Sequence, residues 1–170
     1  GPPPDLVVSG INPGHNTGRS VLFSSTVGAV LSARVMGING LAVSCGFAPA
    51  HRFDTAADVT SGLVEWFSDA AGHAVDPLTL NVNVPDVDYG ALQGLRVTEL
   101  AHRSMFTIRV GREDDALVLR REERGSGFPA GTDGAAVADG YVSVTALTSV
   151  GADAGRLDGE RAPQLPASIG

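Results

Sequence analysis

Two short stretches near the N-terminus hold the side chains best suited to binding a charged ligand. The first, Ser9-Gly10-Ile11-Asn12-Pro13-Gly14-His15-Asn16-Thr17-Gly18, carries the amides of Asn12 and Asn16. Each can offer a carbonyl oxygen to a hard cation or an N–H to an anion, and the interspersed glycines let a ligand come close to the backbone. The alternative is a surface turn in which Asn and Gly serve only positive φ angles. The second stretch, Ser24-Ser25-Thr26, places three hydroxyls ahead of an apolar run. At a helix N-terminus, free amides and the positive end of the dipole would add to them, which suits a phosphate group. The alternative there is an ordinary N-cap. Taken together, loop and cap describe a pocket for a phosphate and a divalent ion.

Other reactive side chains form no comparable group. His15, His51, His73 and His102 have no metal-ligand spacing among them, and only His15 lies in the loop. Cys45 ends an apolar run, the place of a small core residue. Asp114-Asp115 reads as a polar hairpin turn rather than a pair of catalytic carboxylates. Asn81 and Asn83 alternate with Leu80, Val82 and Val84, so the two amides share one strand face, which would border the pocket. No Gly-x-Ser-x-Gly elbow, His-Glu-x-x-His helix or Gly-x-Gly-x-x-Gly turn occurs.

The elements that must position these residues follow from hydrophobic period and punctuation. Leu6 to Ser9 is predicted as a buried strand feeding a loop over Gly10 to Ser20. Thr26 to Met36 is predicted as a helix capped by Ser24 or Ser25 and ended by Gly37, with Leu41 to Ser44 as the next strand. Strand, loop, helix and strand make a βαβ unit, whose ligands sit at the C-terminal ends of the strands. Asp54 is expected to cap a second helix that runs to Ala71 and buries Ala57, Leu63, Val64, Phe67 and Ala71. Strands follow at Thr79 to Val84, Leu95 to Leu100, Met105 to Val110 and Ala116 to Arg121, the last two joined by a turn over Gly111 to Asp115. Thr132 or Asp133 caps a short helix ending at Gly140, and Tyr141 to Leu147 is a final strand. The expected architecture is one α/β domain over 1–150 with a β-rich extension at about 95–125. The Gly- and Pro-rich stretch 151–170 is read as a flexible or subunit-exchanged tail.

Composition narrows the function. The 170 residues carry 12 basic and 19 acidic side chains, a formal charge of −7, which repels a nucleic-acid polymer. All basic residues are arginine, so Schiff-base chemistry and a Walker-A loop are excluded. A lone cysteine fits a reducing compartment, and neither a signal peptide nor an apolar run long enough to cross a membrane is visible, so the chain is read as soluble and cytoplasmic. It starts Gly-Pro-Pro-Pro-Asp and enters a strand at once, as if in mid-fold.

Pro4-Asp5-Leu6-Val7-Val8-Ser9-Gly10-Ile11-Asn12, then Gly14 and Asn16, then Phe23-Ser24-Ser25-Thr26-Val27-Gly28-Ala29, resemble the signature of the SurE family of metal-dependent nucleotidases. Leu41-Ala42-Val43-Ser44, Leu80-Asn81-Val82-Asn83-Val84-Pro85, Gly131-Thr132-Asp133 and Gly140-Tyr141-Val142-Ser143-Val144-Thr145 are similar to its later blocks, in order. The resemblance implies a three-layer Rossmann-like fold with a mostly parallel sheet, a protruding hairpin and a C-terminal arm exchanged in a homodimer or homotetramer. It implies a phosphomonoesterase of the 5'/3'-nucleotidase and acid-phosphatase kind, acting with Mn or Mg on nucleoside monophosphates or related small phosphates. By position it makes Asn12 a metal ligand and assigns Gly14, Asn16, Ser24, Ser25 and Thr26 to the phosphate.

Two departures qualify the likeness. The family's Asn-Asp-Asp motif, which holds the metal, and a further Ser ligand do not occur here; Asp5 precedes its strand and is no substitute, so no catalytic residue is assigned. Ser25 stands where the family has Gly. The expectation is a family member whose N-terminal part lies outside this sequence. The alternatives are completion by another polypeptide, or a phosphate- or nucleotide-binding module without hydrolysis.

Overall fold

In chain order the elements are β1 (Leu6–Pro13), a 3-10 turn (Gly18–Phe23), α1 (Ser25–Val35), β2 (Asn39–Cys45), α2 (Phe53–Ala70), β3 (Thr79–Val84), a second 3-10 turn (Tyr89–Ala91), β4 (Leu95–Val97), β5 (Phe106–Glu113), β6 (Ala116–Glu123), α3 (Asp133–Ala138) and β7 (Val142–Ala146). The structure is a computed structural model and describes residues 1–47, 51–70, 76–123 and 127–148. His73, Ala71 and the tail 151–170 lie outside the described residues. Among the described residues no helix is long and apolar enough to cross a membrane.

The central sheet has the strand order β1-β2-β3-β7-β4. β1, β2 and β3 run parallel, β7 is antiparallel to β3, and β4 is parallel to β7. The α/β expectation with a mostly parallel sheet therefore holds. A strand's side chains alternate between faces, and here the two faces differ in chemistry. Leu41, Val43 and Cys45 of β2, Leu80, Val82 and Val84 of β3, and Val142 and Val144 of β7 pack with Ala56 and Phe67 of α2. On the opposite face Ala42 packs with Val27 and Val30 of α1. The rest of that face is polar: Ser44, Asn81, Asn83, Ser143 and Thr145 are all buried there.

The local signals read from sequence hold with shifts. Ser24 caps α1, its hydroxyl accepting from the Val27 N–H at 3.2 Å, and Gly37 follows the helix with φ +78°. Thr132 caps α3. β1 runs on to Pro13, so what reads as loop at Gly10 is strand. Asp54 lies inside the first turn of α2 rather than at its cap, and the buried alanine is Ala56, with Ala57 exposed. The helix starts two residues earlier than a capping Asp54 would have it, and Leu63, Val64 and Phe67 pack on the core as expected.

The β-rich extension is smaller than its predicted range. β4 ends at Val97 and pairs with β7, so it belongs to the central sheet. Only β5 and β6 form a separate hairpin sheet. Its turn is Asp114-Asp115 alone, with Asp114 at φ +51°, because β5 continues through Glu113. One hairpin face bears ion pairs from Arg109 to Glu122 and from Arg120 to Glu113. The other exposes Ile108, Val110, Leu117 and Leu119.

Candidate functional site

The C-terminal end of β1 is where the candidate residues begin. Its register against β2 shifts between Ser9 and Asn12, where the Gly10–Ile11 peptide is cis. Gly10 sits at φ +138°, and a Cβ there would stand 2.4 Å from the Val43 carbonyl oxygen, so only glycine fits. Beyond the shift, Asn12 lies opposite Ser44 of β2. Its Nδ2 donates to the Gly14 carbonyl at 2.6 Å, which orients the amide and makes Oδ1 the atom available to a cation. Gly14 is buried, and its N–H donates to the Cys45 carbonyl at 2.8 Å.

Asn16 turns inward, with only 7% of its surface exposed. Its N–H donates to Asn83 Oδ1 at 2.7 Å, and its Nδ2 donates to Ser44 Oγ at 2.8 Å. Its carbonyl accepts from Asn81 Nδ2 at 2.8 Å and from Asn83 Nδ2 at 3.3 Å. The shared face of Asn81 and Asn83 thus borders the turn as expected, as the floor on which Asn16 is fastened. His15 Nε2 donates to the Val84 carbonyl at 2.8 Å, pinning the ring to the end of β3.

Two residues that composition left obscure complete the frame. Asp133, fully buried, accepts from the Gly18 N–H at 2.7 Å, the Ala101 N–H at 2.9 Å and the Gly134 N–H at 2.7 Å. Burial pushes its carboxyl above the usual range, and those backbone N–H donors pull the other way. Gly18 needs its φ of +53°, since a Cβ would stand 2.3 Å from the Arg103 carbonyl oxygen. Arg121 of the hairpin lies between Phe47 and Phe106, its guanidinium carbon 4.2 Å and 4.6 Å from their ring centres. Phe47 in turn abuts Gly14, so the hairpin brings positive charge beside the turn.

Ser24, Ser25 and Thr26 form a second cluster, reached through the 3-10 turn. The first intrahelical bond of α1 runs from the Gly28 N–H to the Ser24 carbonyl and the Ser24 hydroxyl takes the Val27 N–H, so the Ser25 and Thr26 amides are the first-turn donors that neither bond uses. Ser25 is exposed, and Ser24 uses its hydroxyl on Val27. The structure therefore bonds Asn16 to Ser44, Asn81 and Asn83, while two residues earlier Asn12 is bonded to Gly14, and Gly14 to the Cys45 carbonyl. No hydrogen bond described here joins Ser24, Ser25 or Thr26 to those residues.

The donor set does not fit a divalent metal by itself. Asn12 supplies one neutral oxygen, Asp133 is engaged by three amides, and Asp5 lies just before the opposite end of β1. Among the described residues no three His, Cys, Asp or Glu side chains come together. An anion is better served, by the first-turn amides and hydroxyls of α1.

The family described as Survival protein SurE matches residues 1–107. The protein named 5'/3'-nucleotidase SurE from Edwardsiella ictaluri (strain 93-146) is 41% identical over 154 residues, covering 86% of this chain and 58% of that protein. The protein of the same name from Salmonella arizonae is 41% identical over 155 residues, with the same coverage. The crystal structure of the SurE protein from Aquifex aeolicus superposes with a TM-score of 0.72 at 34% identity, over 85% of this chain and 59% of that one. The chain spans less than two thirds of the length of these relatives.

Proposed function

The chain belongs to the SurE family, and on that premise we propose that the protein is a metal-dependent phosphomonoesterase, a nucleotidase hydrolysing nucleoside monophosphates or related small phosphates. The observation that supports this reading is an oriented Asn12 amide at the C-terminal end of β1, the strand that leads into the Ser24-capped N-terminus of α1, in the part of the sheet where such folds bind ligands. Phosphate oxygens accept from the Ser25 and Thr26 amides and from the hydroxyls of Ser25 and Thr26, with the helix dipole favouring the negative charge. Gly14 and Asn16 hold the turn beside them. The divalent cation of this reading, Mn or Mg, needs carboxylate ligands that the described residues at the site do not supply.

Phosphate release from nucleoside monophosphates by the protein at its natural length, with and without Mn, tests the reading. Asn12→Ala should lower turnover by at least about tenfold, since even losses behind the ligand shell reach that size. Unchanged turnover and metal affinity would remove Asn12 from the site. A second reading, a phosphate- or nucleotide-binding module without hydrolysis, is supported by the neutral donor set of the described residues at the site. Phosphate binding without turnover at full length would select it.

The proposed assembly is a homodimer or homotetramer, supported by the exposed apolar hairpin face of Ile108, Val110, Leu117 and Leu119. The proposed location is the cytoplasm, consistent with the single, buried Cys45 as a free thiol.

A further inference from the structure

We infer that Asn83, seconded by Asn81, is a positioning residue for the turn that carries Asn12 and leads to α1. A buried side-chain amide in mid-strand is unfavourable unless each of its polar atoms finds a partner, and a valine would be the cheaper occupant. Asn83 is fully buried, and its amide grips both polar groups of one backbone residue: Oδ1 accepts from the Asn16 N–H and Nδ2 donates to the Asn16 carbonyl. The side chain thereby stands in for a strand neighbour at a point where the backbone has left the sheet. Asn81 adds a second donor to the same carbonyl, and Ser44 accepts from the Asn16 side chain.

The hold passes to the ligand side by covalent continuity. Asn16 lies between Gly14, whose carbonyl orients the Asn12 amide, and Gly18, whose N–H is tied to Asp133. Releasing Asn16 would loosen the middle of the stretch that connects Asn12 to the 3-10 turn and the α1 cap, leaving it held at Gly14, His15 and Gly18. Asn83 touches no ligand atom in this scheme; it acts through Asn16. That role presupposes the phosphate site proposed above.

The test is an NMR titration of the full 170-residue chain with inorganic phosphate. The dissociation constant is read at the Ser25 and Thr26 amides, and exchange of the Asn16 amide is measured without phosphate. Asn83→Ala should raise the dissociation constant about tenfold, the size expected from losing a buried hydrogen bond. It should speed Asn16 exchange while leaving the Leu41 and Val43 amides of β2 as they were. A structural role alone would lower the melting temperature without moving the phosphate affinity of the folded fraction. Should Asn83→Ala fail to fold, Ser44→Ala removes one oxygen from the same network and should weaken phosphate about threefold. A folded variant with unchanged affinity would overturn the positioning role while leaving the phosphate site standing. No phosphate-dependent shift at Ser25 and Thr26 in the unsubstituted chain would overturn the site itself, and this role with it.

Discussion

The Asp133 carboxylate accepts the Gly18 N–H at 2.7 Å across a sequence separation of 115 residues. One buried side chain thus fastens the exit of the ligand turn to the N-terminus of α3, and through the Ala101 N–H it also holds the segment that leads into the hairpin.

Asp133→Asn should be strongly destabilising for its size. The two carboxylate oxygens serve three N–H donors, and an amide would aim its own NH2 at one of them. A loss of about 2 kcal/mol is expected from one buried donor left facing another. Urea unfolding of the two proteins measures it. Equal midpoints would show that Asp133 can be replaced by a neutral acceptor.

The 170-residue chain by itself should bind inorganic phosphate and should not bind Mn tightly, because among the described residues the cation donors at the site reduce to the Asn12 oxygen. Hydrolysis of nucleoside monophosphates should be negligible. Calorimetric titration followed by a phosphate-release assay decides the matter. Tight Mn binding with metal-dependent turnover would mean that a carboxylate from another subunit or another part of this chain completes the site.

Burial, and after it the nearby Asp86 charge, pushes the Cys45 thiol up to about 11. The thiol of the unfolded chain ionises first, near the ordinary value of 9.0, so the group's contribution to stability is complete below that pH and is lost as pH rises through about 11. Unfolding followed from neutral to alkaline pH should show this loss in the native sequence and not in Cys45→Ala. At neutral pH a thiol reagent should label Cys45 only after denaturant is added. Rapid labelling of the native protein would contradict the buried, protonated thiol.

Val110 and Leu119 face each other on the exposed side of the hairpin. If this face joins subunits, Leu119→Asp should lower the mass seen by light scattering without changing the far-ultraviolet spectrum, since the folded chain leaves that side chain in solvent. A monomer before and after the substitution would rule out a homo-oligomer built on this face.

What could be read in the sequence was local. Ser24 and Thr132 announce their helices because a cap hydroxyl reaches only three residues along the chain, and Gly37 marks a helix end by its own φ. The common face of Asn81 and Asn83 follows from strand period. Their partner Asn16 does not, because that pairing spans 65 to 67 residues, across α1, β2 and α2. β4 was misplaced for the same reason: three residues carry little period, and their partner β7 comes far later. Ala57 stands at the margin of the stripe through Leu63 and Phe67, where the small side chain alone does not tell which alanine is buried, and the structure buries Ala56. Arg121 left no local trace, since its place between Phe47 and Phe106 exists only once the hairpin has docked.

The polar face of the sheet has a consequence for anyone who would move this turn to another scaffold. Ser44, Asn81 and Asn83 each bond to Asn16, so grafting Gly14 to Gly18 alone would transfer the shape without its fastening. The reverse also holds. A recipient strand that received the three polar residues without the turn would carry bare amides in its interior. Turn and face form a single heritable part, assembled from segments far apart in sequence, and this loop should tolerate insertion less well than the exposed strands of the hairpin do.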